Sequence, residues 1–201
     1  LSYIAGALIG LSDDYLVDHR GCTLGAVAAL RELGLAPLAL EPKEGLALVN
    51  GTSILTGIAA SCAFDAKRLC AFALAAHSLM LQALRVSMQP FDPFIHGQKP
   101  HPGQRSAAAW MKGLLTGSRM IRDGGEADAG DTVEESIQDR YSVRCLPQFL
   151  GPILDGMATI ERQIVVEMNS ATDNPLLDAD RDACYHGGNF MGQYVAVAMD
   201  Q

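Results

Sequence analysis

Positive charge is scarce in this 201-residue chain: 15 Lys and Arg stand against 23 Asp and Glu, for a formal net charge of −8. A surface of that sign repels phosphate at long range, which argues against a nucleic-acid or anionic-membrane binder. Charge of either sign is thin, at 19% of residues, where soluble domains typically carry roughly 25%. Aromatic residues make up only 6%, yet hydrophobic residues reach 49%. Such a chain either buries its side chains unusually well or lends apolar surface to partner subunits, and disorder is excluded as a description of the whole.

Other features are missing. The most apolar stretch, Leu69 to Leu84, falls short of the roughly 20 residues needed to span a bilayer. It also contains His77 and Gln82, so it reads as a buried core helix and no membrane span is expected. The chain opens at Leu1 with no charged leader and no initiator Met, and is read as an internal piece of a larger subunit, cut at both ends. The five cysteines are odd in number, scattered and without a C-x-x-C pair. They read as small hydrophobes in a reduced, cytoplasmic compartment, and no metal site is expected. G-x-G-x-x-G is absent and no Lys follows the paired glycines, so there is no dinucleotide or phosphate fingerprint. No Ser-His-Asp or Cys-His arrangement can be built from this order. His77 reads as a satisfied core histidine, and His96 and His101 as loop-packing or hydrogen-bonding residues.

What is present is mostly helical. Ser2 to Leu11 reads as an apolar helix end, Tyr15 to Val17 as a short strand candidate, and Leu24 to Leu33 as a helix stopped by Gly34. Pro37 and Pro42 punctuate a linker. From Thr52 to about Val86 runs a long Ala- and Leu-rich stretch, apolar on nearly every face, which belongs inside a bundle. Four prolines make Gln89 to Gly103 an irregular loop. Gln104 to about Leu115 is helical again, and Asp123 to Asp131 is an acidic, Gly-rich segment read as a mobile loop. A further helix is expected from Ile137 to Met168, with kinks or a restart at Pro147 and Pro152. No sustained strand alternation is visible.

Three polar clusters interrupt these apolar surroundings. Glu44 to Thr52 precedes the long helix and reads either as a turn with Thr52 as cap or as part of a site. Gln138, Tyr141 and Arg144 recur at i, i+3 and i+6, which on a helix gathers an amide, a phenol and a guanidinium on one face. Arg suits a carboxylate through two parallel hydrogen bonds, and a phenol beside a cation suits proton transfer; a solvated face with an ordinary ion pair is the bland alternative. Asn169 to Pro175 and His186 to Phe190 form the third. Its amides could hold a carboxylate or orient a catalytic group, and its double glycine admits close backbone approach; two plain turns are the alternative.

Taken together, five segments resemble the aromatic amino-acid ammonia-lyases, the family of phenylalanine, tyrosine and histidine ammonia-lyases and related aminomutases. They are KEGLALVNGTSILTG from Lys43, FIHGQKPHPGQ from Phe94, QDRYSVRCLPQFLG from Gln138, NSATDNPL from Asn169 and HGGNFMGQYV from His186. They occur in the family's order and cover nearly the whole chain. The resemblance implies a mostly α, long-helix bundle of the ammonia-lyase/fumarase-like type. Residues 1–201 would be the central part of a single catalytic domain, truncated at both ends, in a homotetramer whose active sites draw on several subunits. It implies elimination of ammonia from an aromatic L-amino acid to the trans-arylacrylate, with a methylidene-imidazolone (MIO) electrophile made from an internal Ala-Ser-Gly. By motif, Arg144 would bind the substrate carboxylate, and Asn50 and Tyr141 would lie beside the electrophile and amine. Gln138 and Asn174 would complete the polar shell, Phe190 would pack near the substrate, and Leu46 would line the ring pocket.

The departures from the family pattern are equally definite. Ala-Ser-Gly is absent from these residues; the resemblance puts it just before Leu1, the loop Tyr further upstream, and a late Glu beyond Gln201. The isolated chain is therefore expected to be inactive. Arg140, Leu146 and the GNFMGQY text resemble bacterial phenylalanine-type members, so phenylalanine is the first substrate expected, with tyrosine or histidine next. An aminomutase using the same electrophile and a catalytically silent helical homologue are the alternatives.

Overall fold

A computed structural model describes residues 1–122 and 138–201. The acidic segment expected to be a mobile loop, and the expected helix start at Ile137, lie outside the described residues. The described chain divides into two compact units: residues 1–58 with 165–197, and residues 59–164 with 198–201.

In the first unit, helix α1 (Ser2–Leu8) is followed by a hairpin of β1 (Leu16–His19) and β2 (Cys22–Gly25), paired antiparallel with Val17 opposite Leu24. The two-residue loop Arg20-Gly21 has positive φ at both positions, 53° and 79°, the geometry that matches the twist of paired strands. Helix α2 (Ala26–Glu32) follows at once, its start tied down by Asp13 Oδ1, which accepts from Ala28 N at 3.1 Å. Leu24 therefore belongs to a strand rather than to the helix expected from it, because hairpin pairing overrides the helical propensity of a single Leu. The helix does stop where expected, with Gly34 at φ 68°. A short helix α3 (Glu44–Val49) leads into the long α4 (Ser53–Ala83), whose ladder opens with Thr56 N donating to the Thr52 carbonyl at 2.8 Å. Later in the chain this unit holds a second small hairpin, β3 (Leu176–Asp178) with β4 (Ala183–Tyr185), and most of α9 (Gln193–Asp200).

The second unit contains most of α4, then α5 (Pro93–Gln98), α6 (Pro102–Leu115), α7 (Tyr141–Arg144) and most of α8 (Leu146–Met168). The Pro-rich segment is not the irregular loop expected. A 3₁₀ turn occupies Gln89–Phe91, and Pro93 and Pro102 each begin a helix, the position where the missing N–H costs nothing and the fixed φ is already helical. Asp92 caps α5 by accepting from Phe94 N at 2.9 Å. The helix after Ile137 is also revised: Gln138 to Arg140 is non-helical, the chain restarts at Leu146, and α8 continues through Pro152.

The core of this unit gathers Leu74 and Leu81 of α4, Phe91, and Ala107, Met111 and Leu115 of α6 with Val143 and Leu150. Spacings of seven on α4 and four on α6 put each set on one helical face. Gly103 and Gly151 allow α6 and α8 to touch backbone to backbone: a Cβ on Gly103 would lie 2.2 Å from the Gly151 carbonyl oxygen. The long helix is not buried on every side as expected. Phe64, Leu69, Phe72 and Leu79 are all more than 60% exposed, so only one stripe of the Leu69–Leu84 stretch faces the core. Glu44–Ala83 as a whole is long and apolar enough, by length and composition, to cross a bilayer, which the shorter run alone is not.

Candidate functional site

In the second unit the approach to α7 is anchored by Asp139, which accepts from Ser87 N at 2.8 Å and from Arg122 Nη2 at 3.1 Å. That fixes the residue beside it, Gln138. The Gln138 amide oxygen accepts from Arg144 Nη1 at 2.5 Å, and the Arg144 guanidinium carbon lies 4.8 Å from the centre of the Tyr141 ring. The three residues singled out by their spacing are thus in contact, although by a different geometry from the one expected. They do not share one helix; Gln138 reaches the guanidinium from the extended segment, and Tyr141 and Arg144 open and close the single turn of α7. The turn is braced from α4, where the His77 ring nitrogen pairs with the Val143 carbonyl at 3.3 Å. Arg144 Nε is buried with no partner. A guanidinium held at one nitrogen and over one ring face, with further N–H groups unused, is arranged to receive a planar anion such as a carboxylate.

The first unit carries the other four candidates. Leu46 lies on α3 and is half exposed, and Asn50 caps the same helix through its backbone, donating to the Leu46 carbonyl at 2.8 Å. The Asn50 side chain is half-buried. Asn174 joins the two halves of the third cluster: its Oδ1 accepts from Gly187 N at 2.7 Å, and Asn189 Nδ2 donates to the Ala171 carbonyl at 3.2 Å. Phe190 follows at the surface. This loop is fastened to the head of α3 by an ion pair between Lys43 and Asp173. The Lys43 hydrogen bond holds the Asp173 carboxyl below its ordinary 3.8, with help from the Asn174 N–H.

Reasoning from sequence missed Lys43, Asp139, Asp173 and Gln148. Asp139 and Asp173 sit beside residues that were singled out, but an acid next to an amide is too common a pattern to mark an anchor. A half-buried side-chain amide such as that of Asn50 is the kind of hydrogen-bond donor that the carbonyl of an imidazolone would take, so the donor chemistry present fits the electrophile the resemblance implies.

Long helices with small hairpins thus carry the Gln138–Tyr141–Arg144 contact in one unit and the Asn50 helix end in the other. The sequence profile of the aromatic amino acid lyases matches residues 1–201, and the chain belongs to that family. It is 54% identical over 201 residues to the phenylalanine ammonia-lyase of Nostoc punctiforme, covering 100% of this chain and 35% of that protein. The aromatic ammonia-lyase of Loktanella atrilutea is 50% identical over 200 residues, covering 100% of this chain and 36% of its own length. Among solved structures, the phenylalanine aminomutase of Pantoea agglomerans superposes with a TM-score of 0.88 at 34% identity, covering 98% of this chain and 40% of that one. The chain thus spans about a third of the length of the curated relatives it matches, and its long-helix fold is that of the solved aminomutase structure.

Proposed function

We propose that this chain is part of a carbon–nitrogen lyase that removes ammonia from an aromatic L-amino acid, phenylalanine first and tyrosine or histidine next, to give the trans-arylacrylate. The observation that carries the reading is the Gln138–Tyr141–Arg144 constellation, in which a guanidinium is fixed over a phenol and keeps donors for a carboxylate. The 54% identity to a phenylalanine ammonia-lyase favours phenylalanine.

In this reading Arg144 takes the substrate carboxylate in a charge-assisted fork and so fixes the α-carbon. Gln138 holds the guanidinium plane from one side. Tyr141 places its phenol beside the amine and holds or passes a proton at that nitrogen. Asn50 donates to the electrophile, Asn174 keeps the Gly187 turn closed against the same region, and Leu46 and Phe190 offer apolar surface to the ring. A methylidene-imidazolone would be held here by Asn50 and would supply the electrophile that makes the amine a leaving group. Residues 1–201 are read as the central part of one catalytic domain.

The exposed apolar face of α4 supports a homotetramer, since Phe64, Leu69, Phe72 and Leu79 would otherwise stay in water. A bilayer is the poorer cover for that helix, because Asp65, Lys67 and Arg68 stand midway along it. Five unpaired cysteines are consistent with a cytoplasmic enzyme, and the acidic balance with no nucleic-acid partner. The likeness to an aminomutase structure keeps amine return to the β-carbon as a second reading. Product analysis on the full-length protein with L-phenylalanine separates the two: free ammonia with trans-3-phenylacrylate supports the lyase, and β-phenylalanine overturns it in favour of the mutase. A protein that yields neither is the silent homologue.

A further inference from the structure

Two buried side-chain atoms among the described residues have no hydrogen-bond partner, and both belong to this one turn of the chain: Arg144 Nε, a donor, and Gln148 Oε1, an acceptor. They stand at positions i and i+4. The backbone winds helically across the junction between α7 and α8, with Cys145 N donating to the Tyr141 carbonyl at 3.0 Å and Gln148 N to the Cys145 carbonyl at 3.1 Å. Side chains four apart on such a winding are neighbours, with about 5–6 Å between their Cβ atoms. Buried polar atoms are rarely left unpaired, and here one unpaired atom is a donor and the other an acceptor, four positions along the same stretch of chain.

We propose that Gln148 is a positioning residue for Arg144, its Oε1 accepting from Nε when a carboxylate is bound. The inference rests on the reading of Arg144 as the carboxylate-binding group. Gln138 already holds Nη1, and the Tyr141 ring lies against the guanidinium. A third contact at Nε removes the remaining rotation of the group and leaves the outer N–H donors aimed at one ligand plane. Because Gln148 acts through the guanidinium, it affects every ligand that has a carboxylate and none that lacks one. Direct contact between Gln148 and the substrate amine would give a different pattern.

The test uses the full-length protein and three ligands: L-phenylalanine, trans-3-phenylacrylate (carboxylate without amine) and 2-phenylethylamine (amine without carboxylate). Gln148→Met removes the acceptor at nearly constant length; should it not fold, Gln148→Asn withdraws the amide by one methylene and carries the same expectation. The expected result is a rise of about tenfold in both KM for L-phenylalanine and Ki for trans-3-phenylacrylate. The loss falls in KM rather than kcat, and Ki for 2-phenylethylamine does not move. In an Arg144→Met background, Gln148→Met has no further effect. The proposal is overturned by losses that add to those of Arg144→Met, by an equal loss for 2-phenylethylamine, by loss for L-phenylalanine but not phenylacrylate, or by no loss. If Arg144→Met itself leaves phenylacrylate binding unchanged, the functional reading fails first; if it weakens binding and Gln148→Met does not, this inference alone fails.

Discussion

Lys43 and Asp173, 130 residues apart in sequence, form an ion pair that ties the head of α3 to the loop bearing Asn174. Lys43 stands in the left-handed region at φ 78°, immediately before the helix that presents Leu46 and ends at Asn50. Asp173 also accepts from the Asn174 backbone N–H at 2.7 Å. One carboxylate therefore sets the spacing between two candidate site elements.

That pairing has a pH signature. The Lys43 hydrogen bond, then the Asn174 N–H, lower the Asp173 carboxyl below its ordinary 3.8. A depressed acid stabilises the fold above the unfolded value and loses that contribution as pH falls through the folded one. Asp173→Asn is thus expected to be less stable than the parent by a constant margin above pH 3.8, with the margin shrinking only below it. Denaturant melts of both proteins from neutral to acid pH check this. A margin that closes well above pH 3.8 contradicts it.

The contact between α6 and α8 makes a paired prediction. Gly103→Ala would drive a methyl to 2.2 Å from the Gly151 carbonyl oxygen, while a Cβ on Gly113, further along α6, meets nothing within 4 Å. Gly103→Ala should destabilise by about 1–3 kcal/mol through overpacking. Gly113→Ala should stabilise by about 0.5–1 kcal/mol, because Ala loses less backbone entropy in a helix. Chemical denaturation distinguishes the two signs.

Tyr141→Phe keeps the ring against Arg144 and removes only the phenol. If that hydroxyl handles the proton at the amine, kcat should fall by about 10²–10⁴ with KM largely retained. Steady-state kinetics of arylacrylate formation give both constants. A variant with near-normal kcat would reduce Tyr141 to a support for the guanidinium.

Much of this was legible from sequence where local rules act alone. Gly34 ends α2 because its φ of 68° suits glycine, and Gln138, Tyr141 and Arg144 do meet, although the shared helix their spacing suggested does not form. The reading failed where position within an element decides. Prolines at Gln89 to Gly103 signalled a loop, yet Pro93 and Pro102 sit at helix starts, where proline is at ease. Leu24 looked helical, but the Arg20-Gly21 turn pairs it with Val17. Partners far apart in the chain, such as Lys43 with Asp173, leave no local trace, and Gln148 lay within a quoted segment without being singled out.

The most direct measurement is the release of ammonia and trans-3-phenylacrylate from L-phenylalanine, followed side by side for the full-length protein and its Arg144→Met variant. Equal amounts of both products are expected from the parent. The variant should lose about 1.5–3 kcal/mol of transition-state binding, read as a fall of roughly ten- to a hundredfold in kcat/KM. Absence of both products from the parent, or an Arg144→Met variant with undiminished kcat/KM, would contradict the assignment of this arginine and the lyase built around it.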